Sequence, residues 1–174
     1  MTKIRLAKRE DAIAIAMLGR TTFSEAFGHL FSDKEGLRVY LNKTFSVEKI
    51  ETSLEKQNNV YWIALVDRLP VGYAKLKLRS SCEFIEEVRI SQLQKIYVLQ
   101  DFLSMKIGKQ LQNVLLERAS KSGSRKIWLS VYKGNERAIS FYKKNNFEEV
   151  GRHQFNIGHD TFAFLAMSKH LGHS

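Results

Sequence analysis

The run Leu103-Ser104-Met105-Lys106-Ile107-Gly108-Lys109 brings a glycine and two lysines to the expected start of an amphipathic helix. Free N–H groups in the first turn of a helix, at the positive end of its dipole, bind phosphate or pyrophosphate. Gly108 would let the backbone approach such a group, and Lys106 and Lys109 would add charge. A solvated first turn fits the same residues. The run is not a Walker phosphate loop, because no glycine stands five residues before Gly108 and Gln110 occupies the place of the magnesium-binding Ser or Thr. A second constellation runs Asn135-Glu136-Arg137-Ala138-Ile139-Ser140-Phe141-Tyr142-Lys143-Lys144-Asn145-Asn146-Phe147. Asn135 suits a helix N-cap. Tyr142, two turns on, offers a phenolic proton to a leaving group if it lies within hydrogen-bond reach. An ordinary capped helix with a core tyrosine gives the same pattern.

The elements that would position these residues follow from periodicity. A strand is predicted over 3–7, then a helix after Asp11, a plausible cap, with Ile15, Leu18, Thr22, Phe23 and Phe27 on one face. Helices are predicted over 33–41 and 47–56, the latter with Ile50 and Leu54 four residues apart. Residues 59–67 are rich in β-formers. After the turn Asp67-Arg68-Leu69-Pro70 comes strict alternation, with Gly72, Ala74, Leu76 and Leu78 facing one way and Tyr73, Lys75, Lys77 and Arg79 the other. A polar loop over 80–89 leads to a strand over 93–98. The helix carrying Ile107, Leu111, Val114, Leu115 and Ala119 ends at Ser122-Gly123. A strand over 127–131, the helix capped by Asn135 and strands over 147–155 and 161–167 complete the chain. This order predicts a mixed α/β (α+β) fold with helices on the faces of one sheet. No linker or repeat divides residues 1–174, so a single domain is expected.

Composition narrows the function classes. With 174 residues, 44% hydrophobic content and one proline, the chain can bury a sizeable core. Cys82 is the single cysteine, which rules out an intrachain disulfide and suits a reducing cytosol. His29, His153, His159, His170 and His173 show no His-x-x-x-His or Glu-plus-His spacing, so no metal is expected. No apolar run of signal-peptide or membrane-spanning length is present, and a soluble cytoplasmic protein is expected. The net charge of +10 suits an anionic ligand, either nucleic acid or a phosphorylated cofactor. The cations are scattered, with Lys143-Lys144 only a pair, so no nucleic-acid-binding arm is expected.

The pattern N-x-x-A-x-x-x-Y-x-x-x-x-F over 135–147 resembles the GNAT superfamily of N-acetyltransferases. The resemblance extends from Ile4-Arg5-Leu6-Ala7 to the strand over 161–167. It is closest to bacterial spermidine/spermine (polyamine) N-acetyltransferases, on Leu93-Gln94-Lys95-Ile96-Tyr97-Val98-Leu99, Ile127-Trp128-Leu129-Ser130-Val131 and Asn135-Glu136-Arg137-Ala138. It implies a central, mostly antiparallel sheet of six or seven strands, with those over 93–98 and 127–131 splayed apart, and acetyl-CoA as cosubstrate. In that reading the backbone of Ile96, Tyr97 and Val98 pairs with the pantetheine arm, and residues 103–109 cradle the pyrophosphate. Asn135 holds the pantetheine, an N–H near Val98 faces the oxyanion, and Tyr142 is the general acid for direct attack by an amine. Homodimers are common among relatives.

Several residues depart from the family pattern. Leu103 and Lys106 replace a Gln/Arg and a glycine of the phosphate loop, and Asn146 replaces a glycine that Asn can mimic at positive φ. Gln92 stands where many relatives carry a glutamate suited to take the amine's proton. Glu83, Glu86 or Glu87 could substitute, the amine could arrive deprotonated, or these carboxylates could simply face water. Glu25, Asp33 and Glu35, with Gln92, are the candidate acceptor contacts. The acceptor expected is a polyamine, a peptide or protein amine, or a small amine antibiotic, although the net charge repels a polycation. A non-catalytic protein that binds CoA or nucleic acid on this fold is the alternative, and retention of Asn135 and Tyr142 argues against it.

Overall fold

The computed structural model describes residues 1–172, so His173 lies outside the described residues. The elements are β1 (Thr2–Leu6), α1 (Ala12–Phe27), α2 (Lys34–Thr44), α3 (Val47–Glu55), β2 (Asn59–Val66) and β3 (Leu69–Lys77). They continue as β4 (Ile90–Val98), α4 (Ile107–Lys121), β5 (Lys126–Tyr132), α5 (Glu136–Lys144), β6 (Glu148–Ile157) and β7 (Asp160–His170). The strands form one sheet in the order β1-β2-β3-β4-β5-β7-β6. Every neighbouring pair is antiparallel except β4 and β5.

That parallel pair makes the site possible. It covers only Ile90, Ser91 and Gln92 against Lys126, Ile127 and Trp128. Beyond it, β4 stays with β3 through Val98 while β5 stays with β7 through Tyr132, and the two strands part. A bulge marks the departure: Leu76 faces Leu93 and Lys75 faces Lys95, leaving Gln94 as an extra residue in β4. An inserted residue of this kind raises local twist and turns the strand.

Both faces of the sheet are covered. On one, α4 buries Ile107, Leu111, Leu115 and Ala119 completely against Ala74, Leu76, Leu93, Ile127 and Leu129. Each large side chain there contributes about 1.5–3 kcal/mol by leaving water. On the other, α1 and α3 pack Ile15, Leu18 and Ile50 on Tyr61, Ile63 and Tyr73, and an aromatic cluster of Phe23, Phe31 and Phe45 joins α1 to α2. Phe45 lies flat enough on Gly19 that a Cβ there would stand 2.3 Å from its ring.

The expected order of elements is present, with local differences. The β2–β3 connection is a two-residue turn, Asp67 and Arg68, both at positive φ, so Pro70 falls inside β3. It is tolerated beside a bulge that leaves Val71 without a register partner in β2. β4 begins at Ile90 rather than at residue 93, because pairing continues into Ser80 N–H to Ile90 C=O (3.1 Å) and Arg125 N–H to Arg89 C=O (2.7 Å). Asp11 does sit at the N-cap of α1 but does not cap it. A 3-10 turn, Arg9–Asp11, has already placed it in helical geometry. Its carboxylate instead accepts two hydrogen bonds from Arg5 (2.7 and 2.9 Å) and one from the Lys8 N–H (2.7 Å). Gly123 and Asn146 both take positive φ, as their positions after helices require. Among the described residues no helix is long and apolar enough to cross a membrane.

Candidate active site

A cleft of about 1300 Å³ opens where β4 and β5 diverge. Over 93–98, β4 has β3 on one side only, so every second backbone N–H and C=O group is turned to the cleft, free to pair with an extended ligand. Ile96, Tyr97 and Val98 line it there. Ile96 and Val98 lean on the α4 side, while the Tyr97 ring turns to the α1 side, 5.6 Å from Tyr73.

Beyond Val98 a 3-10 segment, Gln100–Met105, delivers the chain to Lys106, which adopts the left-handed conformation (φ 57°, ψ 26°) and starts α4. The first helical bond noted there is from Gln110 N–H to Lys106 C=O (3.2 Å). The N–H groups of Ile107, Gly108 and Lys109 therefore precede the helix's own ladder and have no partner in it. A Cβ at Gly108 would meet nothing within 4 Å, so the protein's own packing does not demand glycine there. What the glycine preserves is bare backbone beside open space, which fits a pyrophosphate at a helix start. Leu103, Ser104, Lys106, Gly108 and Lys109 line the cleft. Ile107 points into the core with no exposure, and Met105 is exposed outside the lining. Lys109 is engaged, donating to the Asn145 side-chain oxygen at the end of α5.

Asn135 and Tyr142 form the opposite wall. The Asn135 Oδ1 accepts from the Ala138 N–H (3.1 Å), which caps α5 and leaves the side-chain NH₂ without a partner among the described residues. The Tyr142 ring sits between Phe141 and Phe147, with centroids 5.4 and 5.5 Å away, and is 7% exposed. Burial pushes its hydroxyl pKa upward, so the phenol keeps its proton at neutral pH. Among the described residues nothing hydrogen-bonds to that hydroxyl.

The acceptor candidates are not brought together. Glu25 lines the cleft, yet its carboxylate accepts the Gln100 N–H (2.8 Å). Asp33 lies elsewhere: it caps α2 by accepting from Gly36 N–H (2.8 Å) and also accepts from His159 N–H (3.0 Å), and both bonds hold its pKa low. With Asp160 accepting from the Ser32 hydroxyl, Asp33 fastens α2 to the β6–β7 turn. Glu35 pairs with Arg38 on the surface. Gln92 lines the cleft and accepts from the Ser80 hydroxyl (2.9 Å). Glu83, Glu86 and Glu87 are absent from the lining, and Glu87 faces Arg89.

The cleft instead holds cations that sequence reasoning missed. Lys75 and Lys95 stand opposite each other on β3 and β4, and Lys49 reaches in from α3. Burial, helped by nearby lysines, lowers Lys75 to about 7. Burial, with Lys49 adding to it, lowers Lys95 to about 8. Alternation had assigned Lys75 to the face it shares with Tyr73, and the one sign that this face is covered was Tyr73 itself. An aromatic rim of Phe27, Tyr132, Phe162 and Phe164 closes the far side, where the Ser130 hydroxyl lies 2.9 Å from His153 Nε2.

Residues 22–147 match the model of the acetyltransferase (GNAT) family. The chain belongs to that family. It is an acetyl-CoA-dependent N-acetyltransferase, and its seven-stranded sheet is the GNAT sheet. An uncharacterized N-acetyltransferase encoded in the pepI 3′ region of Lactobacillus delbrueckii subsp. lactis is 24% identical over 97% of both chains. A spermidine N(1)-acetyltransferase of Thermoplasma acidophilum is 23% identical over 84% of this chain and 88% of its own. Among solved structures, the PaiA N-acetyltransferase of T. acidophilum in complex with coenzyme A superposes with a TM-score of 0.77 at 22% identity, covering 98% of this chain and 99% of that one.

Proposed function

We propose that this acetyltransferase moves the acetyl group of acetyl-CoA to a primary amine by direct attack in a ternary complex, with Tyr142 as the general acid. The observation that carries the reading is the protonated, unpartnered Tyr142 hydroxyl in the wall of the cleft formed by the splayed strands. The amine nitrogen bonds to the acetyl carbon, the carbon–sulfur bond breaks, and Tyr142 gives its proton to the departing sulfur. The amine's surplus proton is released to solvent, and the tyrosinate takes one proton back from solvent, so the cycle closes with no net proton change. Gln92 is neutral and Glu25 is held by a backbone N–H, so no carboxylate of the cleft is assigned as base. Residues 96–98 would hold the pantetheine as an added strand, the Asn135 NH₂ would hold its amide, and the start of α4 would take the pyrophosphate. Most of the acceleration then comes from fixing amine and thioester in attack geometry.

Tyr142→Phe tests this. Turnover should fall roughly 10²–10⁴-fold, with CoA affinity and melting temperature preserved, because the hydroxyl has no protein partner to lose. Unchanged turnover would refute the acid role. A polyamine acceptor is a second reading, favoured by the likeness to the Thermoplasma spermidine enzyme and by Glu25 at the cleft; it requires carboxylates to meet ammonium groups, and the lysines of the cleft oppose it.

A further inference from the structure

We propose that Lys75 and Lys95, assisted by Lys49, form an oxyanion-binding subsite on the α1 and α3 side of the cleft, across the sheet from α4, so that the acceptor is a small amine that also carries a carboxylate or phosphate. The inference rests on the amine-transfer reading and names its substrate class. Like charges placed directly across neighbouring strands destabilise a sheet, yet β3 and β4 put these two lysines in register on a face covered by α1 and α3. Neither forms an ion pair among the described residues. Aromatic faces offset part of the cost: the Lys95 ammonium lies 4.8 Å from the Phe45 ring centre and 5.6 Å from that of Tyr97, and Lys75 lies 5.5 Å from that of Tyr61. Rings hold a cation in place without neutralising it.

The surroundings add more positive charge. A smaller depression beside the cleft shares Lys49 and Lys75 and adds Lys56, Lys77 and Arg79, against a single carboxylate among the described residues, Glu48. Among the described residues, Glu25 is the only carboxylate in the lining of the cleft. An oxyanion seated between Lys75 and Lys95 would remove the repulsion that the fold otherwise maintains, and burial makes such a contact stronger than it would be at the surface. The lowered proton affinities of both lysines accord with cations left uncompensated until an anion arrives.

The test uses wild type, Lys75→Gln and Lys95→Gln, with acetyl-CoA saturating wherever the acceptor is varied and CoA saturating in the binding titrations, so that the cofactor's own phosphate site is filled. Acetyl transfer is compared on matched amines: 4-aminobutyrate against butylamine, and phosphoethanolamine against ethanolamine. We expect kcat/KM at least about tenfold higher for one anionic member, the pair identifying carboxylate or phosphate. In either variant the preference should collapse through a raised acceptor KM, with acetyl-CoA KM unchanged. Equal rates for both members of each pair, a preference that survives both substitutions, or faster turnover of spermidine would overturn the subsite. Should no amine be acetylated, the transfer reading fails, and titration with inorganic phosphate and succinate still decides the subsite. Binding lost in the variants supports it, and equal or absent binding in all three proteins overturns it.

Discussion

Replacing Lys75 by glutamine should make the protein more stable, and the gain should depend on pH. The ammonium loses proton affinity on folding, from 10.5 to about 7, first through burial and then through Lys95, Lys77, Lys49 and Lys56. At about 1.36 kcal/mol per tenfold change, the charged form is disfavoured in the folded state by at most about 5 kcal/mol. Partial solvation and the Tyr61 ring reduce this, and about 2 kcal/mol is expected. The sign follows from proton counting. Between about pH 7 and 10.5 the unfolded chain holds a proton that the folded chain has released, so stability rises with pH across that window. Below it the penalty is full, and above it the penalty is gone. Urea denaturation of wild type and Lys75→Gln at about pH 6 should therefore favour the variant, with the gap closing toward about pH 10. Titration of groups remote from Lys75 is common to both proteins and cancels in the difference, and relief of the lysines that Lys75 repels adds to the variant's gain. A variant less stable at the lower pH, or a gap that ignores pH, would refute the claim that Lys75 is an uncompensated cation.

Gly108→Leu should leave the fold intact or raise its stability by up to about 1 kcal/mol, since leucine is the better helix former and a Cβ there meets no protein atom. Calorimetry should nevertheless show CoA affinity reduced at least about tenfold, because the side chain fills the space at the helix start. Asp11→Asn should cost about 2 kcal/mol at neutral pH, measured by denaturant unfolding, through loss of the two-point contact with Arg5. Asp11 is held below its usual pKa by Arg5 first and by the Lys8 N–H as well. Its contribution is present above about pH 4 and disappears as pH falls through the lowered value, so wild type and variant should converge in acid.

Much of this architecture was legible in the sequence, because Ile107, Leu111, Leu115 and Ala119 repeat with the helical period and Ala74, Leu76 and Leu78 with that of a strand. Asn135 was readable as a cap for the same reason: the signal is local. The parting of β4 from β5 is not local. It depends on three pairs of parallel register and one extra residue at Gln94, and only the likeness to a known family announced it. Asp11 and Asp33 show the limit from another side. Both are acidic residues at helix starts, yet Asp11 was captured by Arg5 on β1, while Asp33 caps α2 and also holds the β6–β7 turn. Lys75 and Lys95 escaped notice because a polar residue alternating along a strand reads as solvent-facing, and covering of that face by α1 and α3 is a property of the assembled sheet. Lys95 lies beyond the bulge, which resets the alternation of β4 and turns it to the same side as Tyr97.

Acetyl transfer through the cleft is tested most directly by titrating the purified protein with acetyl-CoA in a calorimeter and then following free thiol as amines are added. Saturable binding, followed by thiol release that depends on the added amine, is the expected result. Absence of binding, or thiol release indifferent to any amine, would contradict it.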